Sequence, residues 1–143
     1  MQKAIAINDE LTITTEQVTP EQLHQAAQTG FKSVLNLRLP EEPGFLTDEA
    51  ERAQEVGLQY AHLPVNPTAI DETLVCRVVQ QIADLPKPAL LHCASGMRAG
   101  LMASLYVAYQ QDLNVEQMLK MAQNLGLHWP KQPAFRQVCD RAA

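Results

Sequence analysis

The residues with the clearest chemical potential lie in one short stretch of the chain, from Ala89 to Gly100. Three apolar residues lead into His92 and Cys93, and four residues separate Cys93 from Arg98. This pattern predicts a strand, a tight loop and the first turn of a helix. The unpaired N–H groups and the dipole at a helix start attract anions, so we expect them to favour thiolate over thiol at the cysteine.

A thiolate beside an arginine is suited to covalent transfer of an anionic group. The sulfur is the nucleophile, and a guanidinium can bind two oxygens of one oxyanion, which an ammonium cannot do. The alternative interpretation is a structural cysteine, because free cysteines are among the most buried residues. The coincidence of His92, Gly96 and Arg98 with the predicted strand, loop and helix favours a reactive Cys93.

The composition is typical of a soluble globular domain, and we predict that residues 1–143 form a single one. A net charge of −5 argues against a nucleic-acid partner, and no segment has the length and apolarity of a signal peptide or a bilayer span. The three cysteines are too widely spaced for a disulfide framework, and no Cys and His residues have zinc-ligand spacing. We therefore expect a cytoplasmic protein with no membrane partner, no metal and no cofactor, and its oligomeric state stays open.

Apolar patterns alternate between strand and helix along the chain, which predicts an α/β fold with a central, mostly parallel sheet flanked by helices. Ligands of open parallel sheets bind at the carboxyl ends of the strands, where Cys93 and Arg38 are predicted to lie. The predicted strands are two short ones around Asn8-Asp9 and three more at Phe31–Leu39, Leu58–Val65 and Ala89–His92. The predicted helices are one across Ala99–Tyr109, a last one at Pro133–Ala142, and four that start at Thr19, Thr47, Asp71 and Asn114.

The order of short motifs resembles a known group of enzymes. The motifs are Asn36-Leu37-Arg38 with a Glu-rich loop after it, Leu63-Pro64-Val65, and His92-Cys93-x-x-Gly96-x-Arg98. They are similar to those of cysteine-dependent phosphatases of the dual-specificity and tyrosine type, and above all to the small bacterial beta-lactamase-hydrolase-like, phosphatase-like domain. The resemblance runs from about Leu11 to Leu125. It implies a phosphatase-like fold and hydrolysis of a phosphomonoester, on a small molecule or a protein, through a phosphocysteine.

The resemblance also implies a role for each residue of the loop. Cys93 would be the nucleophile, Arg98 would bind the oxygens of the phosphoryl group, and His92 would hold the loop. The anion cradle would be completed by the amides of four loop residues, Ala94, Ser95, Gly96 and Met97. Arg38, at the end of its predicted strand, is a candidate to line the anion site, and the alternative is a surface ion pair with Glu41 or Glu42.

Three departures from the phosphatase pattern keep other functions open. The loop has four residues between cysteine and arginine, where phosphatases usually have five, and rhodanese sulfurtransferases have similar Cys-x-x-Gly-x-Arg loops that stabilise a persulfide. Ala99 follows the arginine, where phosphatases usually have Ser or Thr. Asn66 lies where a general-acid Asp is expected, and Asp71, the nearest replacement, also fits a helix N-cap. A sulfurtransferase or persulfide carrier with a sulfur donor, and a non-catalytic oxyanion-binding module, are therefore the alternative hypotheses.

Overall fold

Five strands form one sheet in the computed structural model of the protein, which describes residues 4–127. Their order across the sheet is β1-β2-β5-β3-β4. β1 pairs with β2 in antiparallel orientation, and every other pairing is parallel. The predicted mostly parallel sheet is thereby confirmed. The strands are β1 Ala4–Ala6, β2 Leu11–Thr14, β3 Ser33–Asn36, β4 Gln59–His62 and β5 Ala89–His92.

Five helices are present within residues 4–127, and three of their starts carry the caps that the sequence predicts. Thr19 and Gln22 form a capping box, Asp71 accepts a hydrogen bond from the Leu74 amide at 2.8 Å, and Asn114 caps the fifth helix. No helix in this part of the chain combines the length and apolarity needed to cross a bilayer. The helices are α1 Pro20–Gln28, α2 Glu49–Glu55, α3 Glu72–Asp84, α4 Met97–Gln111 and α5 Val115–Asn124.

The central strand β5 explains the layered core. Its side chains alternate between the two faces of the sheet, so Leu91 joins the larger apolar cluster with α3, α4 and α5. Leu90 joins the smaller cluster with Leu23 of α1 and Ala53 of α2. Both faces are therefore covered, which is why the strand is apolar throughout and α4 is buried on nearly every side.

The predicted boundaries of several elements are wrong, among them those of α4, which runs from Met97 to Gln111 and not from Ala99 to Tyr109. β3 and β4 are shorter than Phe31–Leu39 and Leu58–Val65, because the Arg38 amide bonds to the side chain of Asn36 at 2.9 Å and Pro64 has no N–H to donate. The helix predicted to open at Thr47 begins instead at Glu49, after Asp48. The predicted helix 133–142 lies outside the described residues.

Candidate active site

The candidate nucleophile lies at the carboxyl end of β5, at the N-terminus of α4. The N-cap residue Gly96 has a φ of +90° and no side chain with which to cap the helix. The Sγ atom of Cys93 takes that position, because it accepts a hydrogen bond from the Ala99 amide at 3.4 Å. The sulfur therefore lies where the helix dipole and its unpaired N–H groups stabilise negative charge.

The loop between Cys93 and α4 is closed around the sulfur. A Cβ atom at Gly96 would lie 3.0 Å from the Thr14 carbonyl oxygen and 3.0 Å from two carbon atoms of Thr15, so the end of β2 packs directly against the loop. Cys93 has no exposed surface, whereas Ser95 is exposed. A substituent on the sulfur therefore needs the loop to open.

The guanidinium of Arg98 is fixed by a carboxylate that the sequence did not single out. Its Nη1 and Nη2 atoms each donate to one oxygen of Glu42 at 2.7 Å, and Nη1 also donates to the Val65 carbonyl at 3.0 Å. Hydrogen bonding to Glu42 raises the pKa of Arg98, and the nearby charge of Cys93 adds to this. Of the five N–H groups, Nε–H and one Nη2–H remain for a bound oxyanion.

Glu42 is a permanent anion at this site. Hydrogen bonds from Arg98 and from the Leu39 amide, together with the charge of Arg38, lower the pKa of Glu42 to about 2, although burial opposes the shift. A group that titrates so low cannot donate a proton near neutral pH. Glu42 is therefore a counter-ion that orients Arg98, and it is excluded as a general acid.

Arg38 reaches the site through Glu42. It is buried, its Nε lies 3.6 Å from the Glu42 carboxylate, and its other nitrogens donate to Gln17 at 2.8 Å and to the Pro43 carbonyl. The ion pair with Glu42 that the sequence allowed as an alternative is present, but it is largely enclosed and not on the surface. Arg38 therefore contacts the same carboxylate that binds Arg98.

His92 is held from behind by a second buried carboxylate. Its Nε2 lies 2.6 Å from Oε2 of Glu49, and neither side chain is exposed. Burial, with the charge of Glu49, raises the pKa of the neighbouring Tyr60 to about 12. Glu49 was not predicted as a site residue, although it lies four residues before the buried Ala53, and that spacing places a carboxylate on the buried face of α2.

Asn66, at the position expected for a general acid, and the candidate general acid Asp71 both lie in the segment that follows β4. Asn66 comes directly after Val65, which contacts Arg98, and its side chain accepts two hydrogen bonds from Thr68 at 3.0 and 2.8 Å. The carboxylate of Asp71 caps α3. Within residues 4–127 no hydrogen bond or ion pair joins Asp71 to the cysteine loop, so a catalytic role for it stays a prediction.

A cavity of about 230 Å³ adjoins the outer side of the loop. Ser95, Gly96 and Met97 form one wall of it, and Thr15 and Leu127 lie among the residues opposite. Met97 therefore lines a cavity beside the loop.

Solved structures share this arrangement of sheet and helices. A Shewanella putrefaciens protein whose phosphatase assignment is itself provisional superposes with a TM-score of 0.84 at 20% identity, covering 98% of this chain and 90% of that one. The active form of Tk-PTP superposes with a TM-score of 0.83 at 18% identity, covering 98% and 94%. The fold is therefore that of the phosphatase-like α/β domains.

The sequence comparison narrows this class to one family. The family model of the beta-lactamase hydrolase-like protein, phosphatase-like domain, matches residues 5–110, and the chain belongs to that family. A beta-lactamase hydrolase-like protein of Agrobacterium fabrum is 36% identical over 108 residues, which cover 73% of this chain. The match spans 24% of that relative, so this chain corresponds to about a quarter of its length.

The first prediction concerns the tight contact at Gly96. We expect Gly96→Ala to weaken tungstate binding at least tenfold, about 1.4 kcal/mol, because the new Cβ must push the loop away from β2. The matched control is Gly57→Ala, which also has a positive φ, +85°, but no atom within 4 Å of the new Cβ. The control should cost about 1–2 kcal/mol of stability and leave tungstate binding unchanged. Calorimetry measures the tungstate affinity of both variants, and equal affinities would contradict the prediction.

The second prediction concerns the counter-ion Glu42. Its pKa is lowered from 4.5 to about 2, so its ionic contribution to stability is present above pH 4.5 and is lost as the pH falls towards 2. The difference in unfolding free energy between wild type and Glu42→Gln should therefore shrink over that interval. Urea unfolding at a series of pH values measures it, with Glu41→Gln, which removes an exposed neighbouring carboxylate, as control. A difference that does not change with pH would refute the assignment.

Proposed function

We propose that the protein is a cysteine-dependent phosphatase that hydrolyses a phosphomonoester through a phosphocysteine. The observation that carries the proposal is the position of Cys93 Sγ at the N-terminus of α4, next to an Arg98 that keeps one pair of N–H groups for an oxyanion. Membership of a phosphatase-like family supports it.

The reaction follows from these two groups. The Cys93 thiolate attacks phosphorus, a sulfur–phosphorus bond forms, and the ester oxygen leaves with the electrons of the broken bond and takes up a proton. Water then attacks the phosphocysteine, which releases phosphate and regenerates the thiolate. Arg98 and the amides at the start of α4 bind the oxygens that gain negative charge in both steps. Glu42 keeps Arg98 aimed at them.

Access to the sulfur requires a change in the loop, because Cys93 has no exposed surface. We expect the anion itself to open and order the loop. The amides of Ala94 to Met97 gain hydrogen-bond acceptors when an oxyanion enters, which offsets the lost packing against β2. The short loop then favours a phosphomonoester whose phosphoryl group is unhindered over one whose phosphoryl group is crowded by the rest of the substrate.

The third prediction tests catalysis at the cysteine. Wild type should hydrolyse p-nitrophenyl phosphate, Cys93→Ser should be inactive, and Cys76→Ser, which alters an exposed thiol on α3, should match wild type. Arg98→Lys should lower kcat/KM by about tenfold or more, because a lysine cannot hold two oxygens in a fixed plane. The measurement is steady-state release of nitrophenol, and turnover that survives Cys93→Ser would refute the mechanism.

A sulfur-transfer function is the second candidate, favoured by the four-residue spacing and by the enclosure of Cys93. One sulfur atom needs less room than a phosphoryl group. Thiosulfate would give its outer sulfur to the thiolate and leave as sulfite, and an acceptor thiol would then remove that sulfur. The intact masses of wild type, Cys93→Ser and Cys76→Ser after thiosulfate treatment separate the two functions. Only a sulfur carrier gains one sulfur atom that depends on Cys93.

The fourth prediction concerns the missing general acid. Asn66→Asp should raise turnover of alkyl phosphates, whose leaving groups need a proton, by a factor approaching the 10²–10⁴ typical of general acids. The turnover of aryl phosphates should rise by a smaller factor. Asn66→Ser is the matched control, since it keeps an oxygen that can accept from Thr68 but adds no acid. If Asn66→Asp has no effect, the proton comes from elsewhere, and Asp71→Asn is the variant that then tests Asp71.

A further inference from the structure

We propose that Gln17, which lies outside the cysteine loop, is a positioning residue that couples His92 and Cys93 on one side to Arg98 on the other. The kinetic part of this proposal rests on the proposed phosphatase function. The structural part rests on a continuous series of hydrogen bonds and ion pairs that passes through the amide of Gln17.

The two ends of the Gln17 side chain serve different partners. Its Nε2 donates to Oε1 of Glu49 at 2.8 Å and to the Val18 carbonyl at 2.8 Å, so both N–H groups are used. Its Oε1 accepts from Nη1 of Arg38 at 2.8 Å. A neutral amide therefore joins a buried carboxylate to a buried guanidinium.

One branch leads from Gln17 to the nucleophile. Glu49 uses one oxygen for Gln17 and the other for Nε2 of His92, at 2.6 Å. His92 is joined to Cys93 by a peptide bond, and all three members of this branch after Gln17 are fully buried. A shift of the Glu49 carboxylate therefore moves the end of β5 from which the sulfur projects.

The other branch leads from Gln17 to the anion-binding group. Arg38 lies 3.6 Å from one oxygen of Glu42, and Glu42 binds both terminal nitrogens of Arg98 at 2.7 Å. The Nε of Arg38 has no hydrogen-bond partner, so the Gln17 contact is one of only two described hydrogen bonds that fix this side chain. Loss of Gln17 would let Arg38, and with it Glu42, reorient.

Only a group with both a donor and an acceptor fits between these branches. A carboxylate in place of the amide would face Glu49 with like charge, and an ammonium would face Arg38 with like charge. An apolar side chain of similar length would leave Glu49 and Arg38 each without one partner, which costs most for charged groups. The chemistry of Gln17 is therefore matched to its two neighbours.

The fifth prediction follows from this position. Gln17→Met should weaken tungstate binding and lower kcat/KM by about ten- to a hundredfold, the loss expected for hydrogen bonds to charged groups. Gln25→Met, on the exposed face of α1, is the matched control and should behave as wild type in both measurements. Tungstate affinity is measured by calorimetry and needs no turnover, so it tests the network even if the proposed phosphatase function fails.

Gln17→Glu gives a readout that a purely structural residue would not give. The introduced carboxyl faces Glu49 on α2 and Arg38 after β3, with His92 and Tyr60 beyond Glu49 and Glu42 beyond Arg38. Protonated, it can donate to Glu49 as the amide does, and ionised, it repels Glu49. Its tungstate affinity relative to wild type should therefore fall as the pH rises through the pKa of this carboxyl, which Glu49 raises and Arg38 lowers. This comparison does not use Gln17→Met, so it holds even if that variant does not fold.

A double-mutant cycle decides whether Gln17 acts through the series of contacts. If it does, adding Gln17→Met to Glu42→Gln should cost less tungstate affinity than adding it to wild type. Additive losses, or an affinity of Gln17→Met equal to that of Gln25→Met, would each overturn the proposal. If wild type binds tungstate with these dependences but hydrolyses no phosphate ester, the proposed function fails and the coupling stands.

Discussion

The two hydrogen bonds between Glu42 and Arg98 are the interaction on which the rest of the site depends. A guanidinium this enclosed is costly without a partner, and one that is free to rotate cannot present two N–H groups in a fixed plane. Glu42 meets both needs, because it neutralises Arg98 and engages its terminal nitrogens while Nε–H and one Nη2–H stay available. The loop of Glu42 is in turn held by the Leu39 amide and by Arg38.

The topology of the sheet explains why these groups meet. β5 lies between β2 and β3, so the segments that follow these three parallel strands converge at one edge. They bring Gln17 from beyond β2, Arg38 and Glu42 from beyond β3, and Cys93 from beyond β5. The central strand also feeds α4, whose N-terminus receives the sulfur. The backbone makes left-handed turns in two of these segments, at Gly44 beyond Glu42 and at Gly96 beyond Cys93.

Sequence reasoning predicted the parts of this protein that local patterns encode. The caps at Thr19, Asp71 and Asn114 and the strand that ends at His92 follow from residues within one or two turns of each other. The polar contacts of the site do not, because their partners are 32, 43 and 56 residues apart in the pairs Gln17–Glu49, Glu49–His92 and Glu42–Arg98. Glu42 in particular looks like an ordinary loop carboxylate in the sequence, because Arg98 approaches it only in the folded protein.

The charges of the site are nearly balanced before any ligand binds, and this shapes how it attracts one. Arg38 and Arg98 face Glu42, and His92 faces Glu49, so the side chains supply little excess positive charge. In the proposed phosphatase, the attraction for an oxyanion would therefore come mainly from oriented N–H groups, those at the start of α4 and the remaining pair on Arg98. Such donors act at short range and depend on geometry, whereas a surplus of cations acts at a distance and is screened by salt. The buried polar side chains behind the loop then matter more than net charge, because they fix the direction in which those N–H groups point.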